Sequence, residues 1–302
     1  MGVNITTLRA INFVRRIFNL DFSKTVMLGR QEIFFTRDDF EFVCKRTGLA
    51  MRYNDSIAMG QFSEGLFKLF GGQQVDSIDA SDYEGASIIA DFNCPVPAEL
   101  VGQYSMFIDF GSIEHVYNIP QVVDNVAKLL RPGGAALIMT QANGYAGHGF
   151  YQFSPEFFYS IFSESNGFNY TVVFLVDLQD IKRWHLMPEP RRIGRRNDIP
   201  QSRSYFIFCL STKTSDVETL RAQQSDYQED AWTTSGHSHM GRHGASLFSR
   251  VRHLFNPFLF QNVRGWYYST RSLRDFRRST IRFDPDLVSM EEFEKLRVGS
   301  EG

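Results

Sequence analysis

Apolar positions recur at helical spacing over residues 5–20, where Ile5, Leu8, Ile11, Phe13, Val14, Ile17 and Phe18 alternate with Arg9, Arg15 and Arg16. Beyond them, short apolar runs bounded by Gly, Asp or Asn alternate with amphipathic stretches. The runs at 25–28, 75–79, 87–91, 106–110, 135–140, 171–176 and 205–210 have the length and residue types of buried strands. The stretches 38–45, 62–70, 120–130 and 154–165 predict helices. The second of these stops at Gly71-Gly72, a C-cap signal. The last opens on Ser154-Pro155-Glu156, which supplies an N-cap, a proline at the first helical position and an acid at the positive dipole end. Strands alternating with helices predict an α/β fold: a Rossmann-like, doubly wound, mainly parallel sheet with helices on both faces. The last two strands are joined by a long loop, 177–204, with no evident helix. The final strand is therefore expected to run antiparallel, as at a mixed edge.

Texture divides the chain. Residues 1–210 read as the Rossmann-like domain, 211–245 as a polar linker, and 246–302 as an extension rich in Arg and aromatic residues. A hydrophobic content of 43% excludes a wholly disordered chain. The longest apolar runs fall well short of the roughly 20 residues a membrane helix needs. The formal charge of -2 argues against a uniformly basic nucleic-acid binder. That figure hides a regional split, because residues 1–180 carry 12 basic and 20 acidic side chains and residues 181–302 carry 20 and 14. Arg outnumbers Lys by 25 to 7, and nine Arg fall between positions 242 and 282. Arg planes bind phosphate and carboxylate bidentately and stack on aromatic rings. The basic part can therefore meet the acidic half of the chain, an anionic small-molecule or glycan-like ligand, or a membrane surface through 246–263. Cys44, Cys94 and Cys209 match no metal or redox spacing, which predicts reduced thiols and a cytoplasmic location. His237, His239 and His243 lie in the polar linker without a scaffold, and no metal site is expected.

Ligands of such sheets bind at the carboxyl ends of the strands. There the chain places Gly29-Arg30-Gln31, then Asp79-Ala80-Ser81, then Asp91-Phe92-Asn93, then Asp109-Phe110-Gly111 followed by Glu114-His115, and finally Gln141-Ala142-Asn143. An Asp closing three consecutive strands suits a nucleoside. One carboxylate can accept both ribose hydroxyls, and a second can accept an adenine amino group while the next main-chain N–H donates to the ring. A dinucleotide site would need a Gly-rich phosphate loop, and only Gly29 stands there, which disfavours a nicotinamide enzyme.

The stretches VDSIDASDYEGASIIADFN (75–93) and FIDFGSIEHVYNIPQVVDNVAKLLRPGGAALIM (107–139) resemble class I S-adenosylmethionine-dependent methyltransferases of the type 11-like group. With flanking elements the resemblance covers about 24–210. It implies a methyltransferase using S-adenosylmethionine, acting on an O or N atom of a small-molecule or glycan-like acceptor. By position, Asp79, with Ala80 and Ser81, is similar to the ribose-binding acid, and Asp91, Phe92 and Asn93 to the adenine-contacting segment. Asp109, Phe110 and Gly111 would line the methionine and methyl side. The first motif departs from the family, since LGRQEIF (28–34) has one glycine where two or three are usual. Arg30 is a candidate partner of the methionine carboxylate. Candidate bases or acceptor ligands are Glu114, His115, His148 in GYAGHGFYQFSPE, and Tyr151 behind it. The eroded first motif keeps open an alternative, a non-catalytic Rossmann-like binding or assembly module.

Overall fold

A computed structural model of the chain describes residues 2–53, 57, 60–177, 179–194, 196–197, 199–200, 203–225, 267, 270, 272–274 and 276–299. In chain order the elements are β1 (Gly2–Val3), α1 (Ile5–Ile17), β2 (Lys24–Leu28), β3 (Glu32–Ile33), α2 (Arg37–Thr47), α3 (Glu64–Leu69), β4 (Gln74–Asp79) and β5 (Ile88–Ile89). There follow β6 (Tyr104–Asp109), α4 (Ile119–Leu129), β7 (Leu130–Asn143), α5 (Pro155–Ile161), β8 (Phe168–Asp177), β9 (Trp184–Met187), α6 (Pro190–Ile193), β10 (Tyr205–Lys213), β11 (Ile281–Phe283) and α7 (Met290–Gly299). Helix starts follow local chemistry. Asn4 and Thr7 form a reciprocal cap on α1, Thr36 and Asp39 do the same on α2, and the Asn118 side chain accepts the Gln121 amide at the start of α4.

Nine strands form one sheet in the order β11-β9-β8-β10-β7-β6-β2-β4-β5, and β1 pairs with β3 apart from it. From β5 to β7 the neighbours are parallel. Strand β10 lies between β7 and β8 and is antiparallel to both. The antiparallel last strand is thus internal and not the edge. The loop 177–204 holds a further strand, β9, antiparallel to β8, which carries the sheet onward to β11. The run 87–91 shortens to the two residues of β5. The fold is Rossmann-like α/β.

Period-two alternation sends successive residues of each strand to opposite faces. Met27, Met106, Ile108, Leu137 and Met139 join one apolar core, which also holds Leu8, Phe13, Phe40, Phe67 and Phe293 from the helices. Val26, Leu28, Phe107, Ala136 and Ile138 join the other, with Val122 and Val126 of α4 and Phe158 of α5. Phe13 centres the first core, its ring 5.4–5.9 Å from Phe174, Trp184, Phe283 and Phe293. The many phenylalanines therefore build packing rather than a special site.

The described part of the C-terminal stretch does not stand apart from the domain. Strand β11 pairs with β9, and Phe293 of α7 is fully buried. The ion pairs that anchor it on the N-terminal helices reverse the expected polarity. Arginines of the acidic half, Arg9 and Arg46, hold carboxylates of the basic half: Asp286 at 2.9 and 2.7 Å, and Asp284 as well. Arg16 donates to the Val288 carbonyl at 2.7 Å. Residues 226–266, which include His237, His239, His243 and the amphipathic stretch 246–263, lie outside the described residues. Among those described, no helix is long and apolar enough to cross a membrane.

Candidate functional site

The carboxyl ends of β2, β4, β5, β6 and β7 share one edge of the sheet, so the loops that follow them form a common rim. Gly29 closes β2 with φ +67°, and its N–H donates to the Ile78 carbonyl at 2.8 Å. A Cβ there would come within 2.8 Å of Ser112 Oγ. Ser112 Oγ and Gln31 Nε2 both donate to the Leu28 carbonyl, at 2.9 and 2.6 Å. Glycine at 29 thus serves close packing of the β6 loop on the β2 end. Arg30 is already engaged. It pairs with Glu64 at 2.6 Å, donates to the Glu84 carbonyl at 2.7 Å and lies 4.0 Å over the Phe62 ring. It ties the β2 loop to the β4 loop, and is no free cation awaiting a carboxylate.

Asp79 sits half-buried at the end of β4. Its carboxylate accepts the Ser81 amide at 3.3 Å and meets no cation among the described residues. Ala80 and Ser81 continue as exposed turn. Asp91 is exposed and accepts the Asn93 main-chain and side-chain N–H groups at 2.9 and 2.8 Å. The main-chain bond is the first cause of its lowered pKa. Asn93 in turn accepts the Asn118 amide at 2.9 Å, locking this loop to the start of α4. The Phe92 side chain is buried and stacks on Phe107 at 6.2 Å, so only its main chain can face a ligand.

Asp109 departs from the expected lining role. It is fully buried and turned onto its own loop, accepting the Ser112 and Ile113 amides at 2.8 and 3.3 Å. Burial, and then the charge of Glu114, push its pKa up to about 8. Phe110 and Gly111 are buried as well, Gly111 at φ +102°.

Glu114, His115 and His148 converge. The Glu114 carboxylate is fully buried and accepts Thr140 Oγ1 at 2.7 Å and Gln141 Nε2 at 3.2 Å. The exposed rings of His115 and His148 meet edge to face with centroids 4.8 Å apart. One ligand atom from each of the three residues lies within 4.8 Å of the others. Gly149 makes this possible. Its φ is +72°, and a Cβ there would stand 2.8 Å from the Glu114 carbonyl, which accepts the Phe150 amide at 2.8 Å. Tyr151 does another job, donating its hydroxyl to the Tyr117 carbonyl at 2.8 Å and bracing the two loops. Residues to which the sequence assigned no role also shape the rim, Gln141 among them as a strand end only. Thr140 and Gln141 orient the carboxylate, and the exposed rings of Tyr117 and Phe150 meet 5.9 Å apart. Their spacing, each two residues after a histidine of the pair, was the available signal. Cavities of about 470 and 400 Å³ lie elsewhere, one beside β8 and α6, the other beside α5.

No protein-family model matches the chain, and no curated protein matches it in sequence. Among solved structures it is similar to Haemonchus contortus phosphoethanolamine N-methyltransferase 2 in complex with phosphomonomethylethanolamine and S-adenosylhomocysteine, at 11% identity and a TM-score of 0.41. That match covers 69% of this chain and 53% of the other, so the chain spans about half the length of that enzyme. It is also similar to the YcgJ protein of Bacillus subtilis, at 8% identity and a TM-score of 0.37, over 69% of this chain and 99% of that one. A third similar structure is the [4+2]-cyclase SpnF, at 9% identity and a TM-score of 0.37, over 69% of this chain and 80% of that one.

Proposed function

We propose that this protein is an S-adenosylmethionine-dependent methyltransferase acting on an O or N atom of a small-molecule acceptor. The observation that carries the reading is the strand order: five parallel strands, with antiparallel β10 inserted between β7 and β8, presenting on the rim at the end of β4 an Asp79 whose carboxylate accepts only the amide of its own turn among the described residues. The resemblance of 75–93 and 107–139 to that enzyme family points the same way.

The residues present fit the group in one half of the site more fully than in the other. Asp79 has carboxylate capacity to spare for two ribose hydroxyls, and the 91–93 turn offers main-chain groups beside it. Gly29 keeps the β2 end narrow. S-adenosylmethionine, when bound, supplies a methyl group already activated on a sulfonium. The work left to the chain is alignment of the acceptor. Glu114, His115 and His148, on the neighbouring loops, are the groups we assign to the acceptor side. A glycan-like or anionic acceptor and a cytoplasmic location are finer parts of the same proposal, supported only by the Arg-rich composition and the reduced-thiol pattern.

Calorimetric titration with S-adenosylhomocysteine tests the reading. Saturable binding is expected, weakened at least about 10-fold in Asp79→Ala, from the roughly 1.5–3 kcal/mol of hydrogen bonds to a charged group. Thermal stability should stay unchanged, because Asp79 touches only its own turn. Absence of binding favours the second reading, a non-catalytic Rossmann-like binding module. The commitment of Arg30 to Glu64 and Glu84 is the observation on its side.

A further inference from the structure

We propose that Glu114, His115 and His148 bind a divalent first-row transition-metal ion whose open coordination positions take oxygen atoms of the acceptor. The ion site stands on geometry alone, while the acceptor clause rests on the methyl-transfer reading.

The donor set comes first. Two imidazoles and one carboxylate are borderline ligands suited to zinc, cobalt, iron or manganese, whereas magnesium and calcium prefer all-oxygen shells. Donors on a common ion at about 2.0–2.2 Å stand roughly 3–4 Å apart. The three ligand atoms here already lie within 4.8 Å of one another. Rotation of the two exposed rings closes the remaining gap, because neither is packed into the core.

The second feature is the support behind the carboxylate. Metal-binding carboxylates are held by outer hydrogen bonds that fix their orientation. Thr140 and Gln141 supply those bonds to both Glu114 oxygens, from the buried end of β7. The Gln141 amide oxygen is buried and has no hydrogen-bond partner, although its amide nitrogen is 3.2 Å from Glu114. An acceptor lacking a donor beside a carboxylate suits a water molecule held by an ion.

Backbone geometry is the third. The histidines come from different loops, 33 positions apart. The left-handed conformation of Gly149 and the Phe150 amide bond to the Glu114 carbonyl bring them together. A lone general base needs one imidazole. Two exposed imidazoles against one buried carboxylate form a set of three donors.

Two residues after each histidine stand Tyr117 and Phe150, 70% and 66% exposed, their rings 5.9 Å apart. The acceptor class is therefore a small molecule with one or two oxygen donors on a planar or apolar body. An acceptor hydroxyl bound to the ion loses its proton to solvent more readily. Its oxygen then forms the new bond to the methyl carbon as the carbon–sulfur bond breaks and its electron pair returns to sulfur. The products are a methyl ether and the neutral thioether.

The test titrates Co²⁺, read by visible absorption, and Zn²⁺, read by calorimetry, into the full chain without S-adenosylmethionine. One equivalent is expected to bind, with affinity falling at least about 10-fold in both His115→Ala and His148→Ala. Both positions are exposed, and circular dichroism serves to check that each variant folds. Absence of saturable binding, or an affinity in either variant unchanged from the unsubstituted chain, overturns the site. S-adenosylhomocysteine is titrated separately. Its binding without Co²⁺ binding overturns this inference and leaves the methyl-transfer reading intact. Co²⁺ binding without it keeps the ion site and overturns both the methyl-transfer reading and the acceptor clause.

Discussion

His185 is 8% exposed on β9, with Nδ1 3.2 Å from Thr280 Oγ1 and its ring 4.7 Å from that of Phe276. Burial lowers its pKa to about 4, against an upward pull from Asp177. Above about pH 6.5 the ring is neutral in folded and unfolded chains alike, and its contribution is complete. As pH falls from there toward 4 the unfolded chain takes the proton first, so stability drops, by up to about 3 kcal/mol, and levels off below 4. Urea unfolding across that range should show the loss, and His185→Gln should remove most of the slope. Gly149 yields a second prediction at this scale. Gly149→Ala places a Cβ 2.8 Å from the Glu114 carbonyl at a φ of +72°, and should displace His148 from His115. Histidine ring resonances in NMR spectra would report the separation, with the strain costing about 1–3 kcal/mol of stability. Single residues were legible from sequence only where their role is local. Asp91, expected to face a ligand, caps its own turn in a way the Asp-Phe-Asn spelling allows. The burial of Asp109 depends on the loop that folds over it and could not be read from neighbours in the chain.

Helix and strand positions were mostly legible, because period, caps and glycine stops are written within a few residues of each element. The sheet strands that the pattern does not reveal are short and have no periodicity to betray them: β9 and β11 have four and three residues. They exist because neighbours pair with them. What joins elements is equally non-local. Asp286 meets Arg9 and Arg46 across more than two hundred residues, its side chain 1% exposed and that of Arg9 4%. Removing Asp286 takes away the 2.9 Å partner of the buried Arg9 and leaves it Asp284 at 3.4 Å. Asp286→Ala is expected to cost about 3–5 kcal/mol, measured by chemical denaturation, with α1 and the 284–288 turn losing amide-exchange protection first.

For the whole molecule, the C-terminal stretch completes the domain. Deleting residues 276–299 removes β11 and α7, bares the edge of β9 and opens the core around Phe13, Phe174 and Trp184. A bare apolar edge invites pairing with other copies. The truncated chain should aggregate, eluting in the void of a sizing column, while the full chain does not. The near-neutral net charge looked like two opposed halves placed end to end. In the fold those halves interlock, with N-terminal arginines holding C-terminal carboxylates. Alternation, caps and turn residues act over short distances, so the α/β class, most strands and helices, and the run of acids at successive strand ends can be read from the residues alone. The insertion of β10 between β7 and β8, the pairing of Arg30 with Glu64, and the meeting of Glu114, His115 and His148 cannot. Those outcomes depend on strand order and on how separate loops pack over a shared edge, and no local stretch of chain encodes either alone.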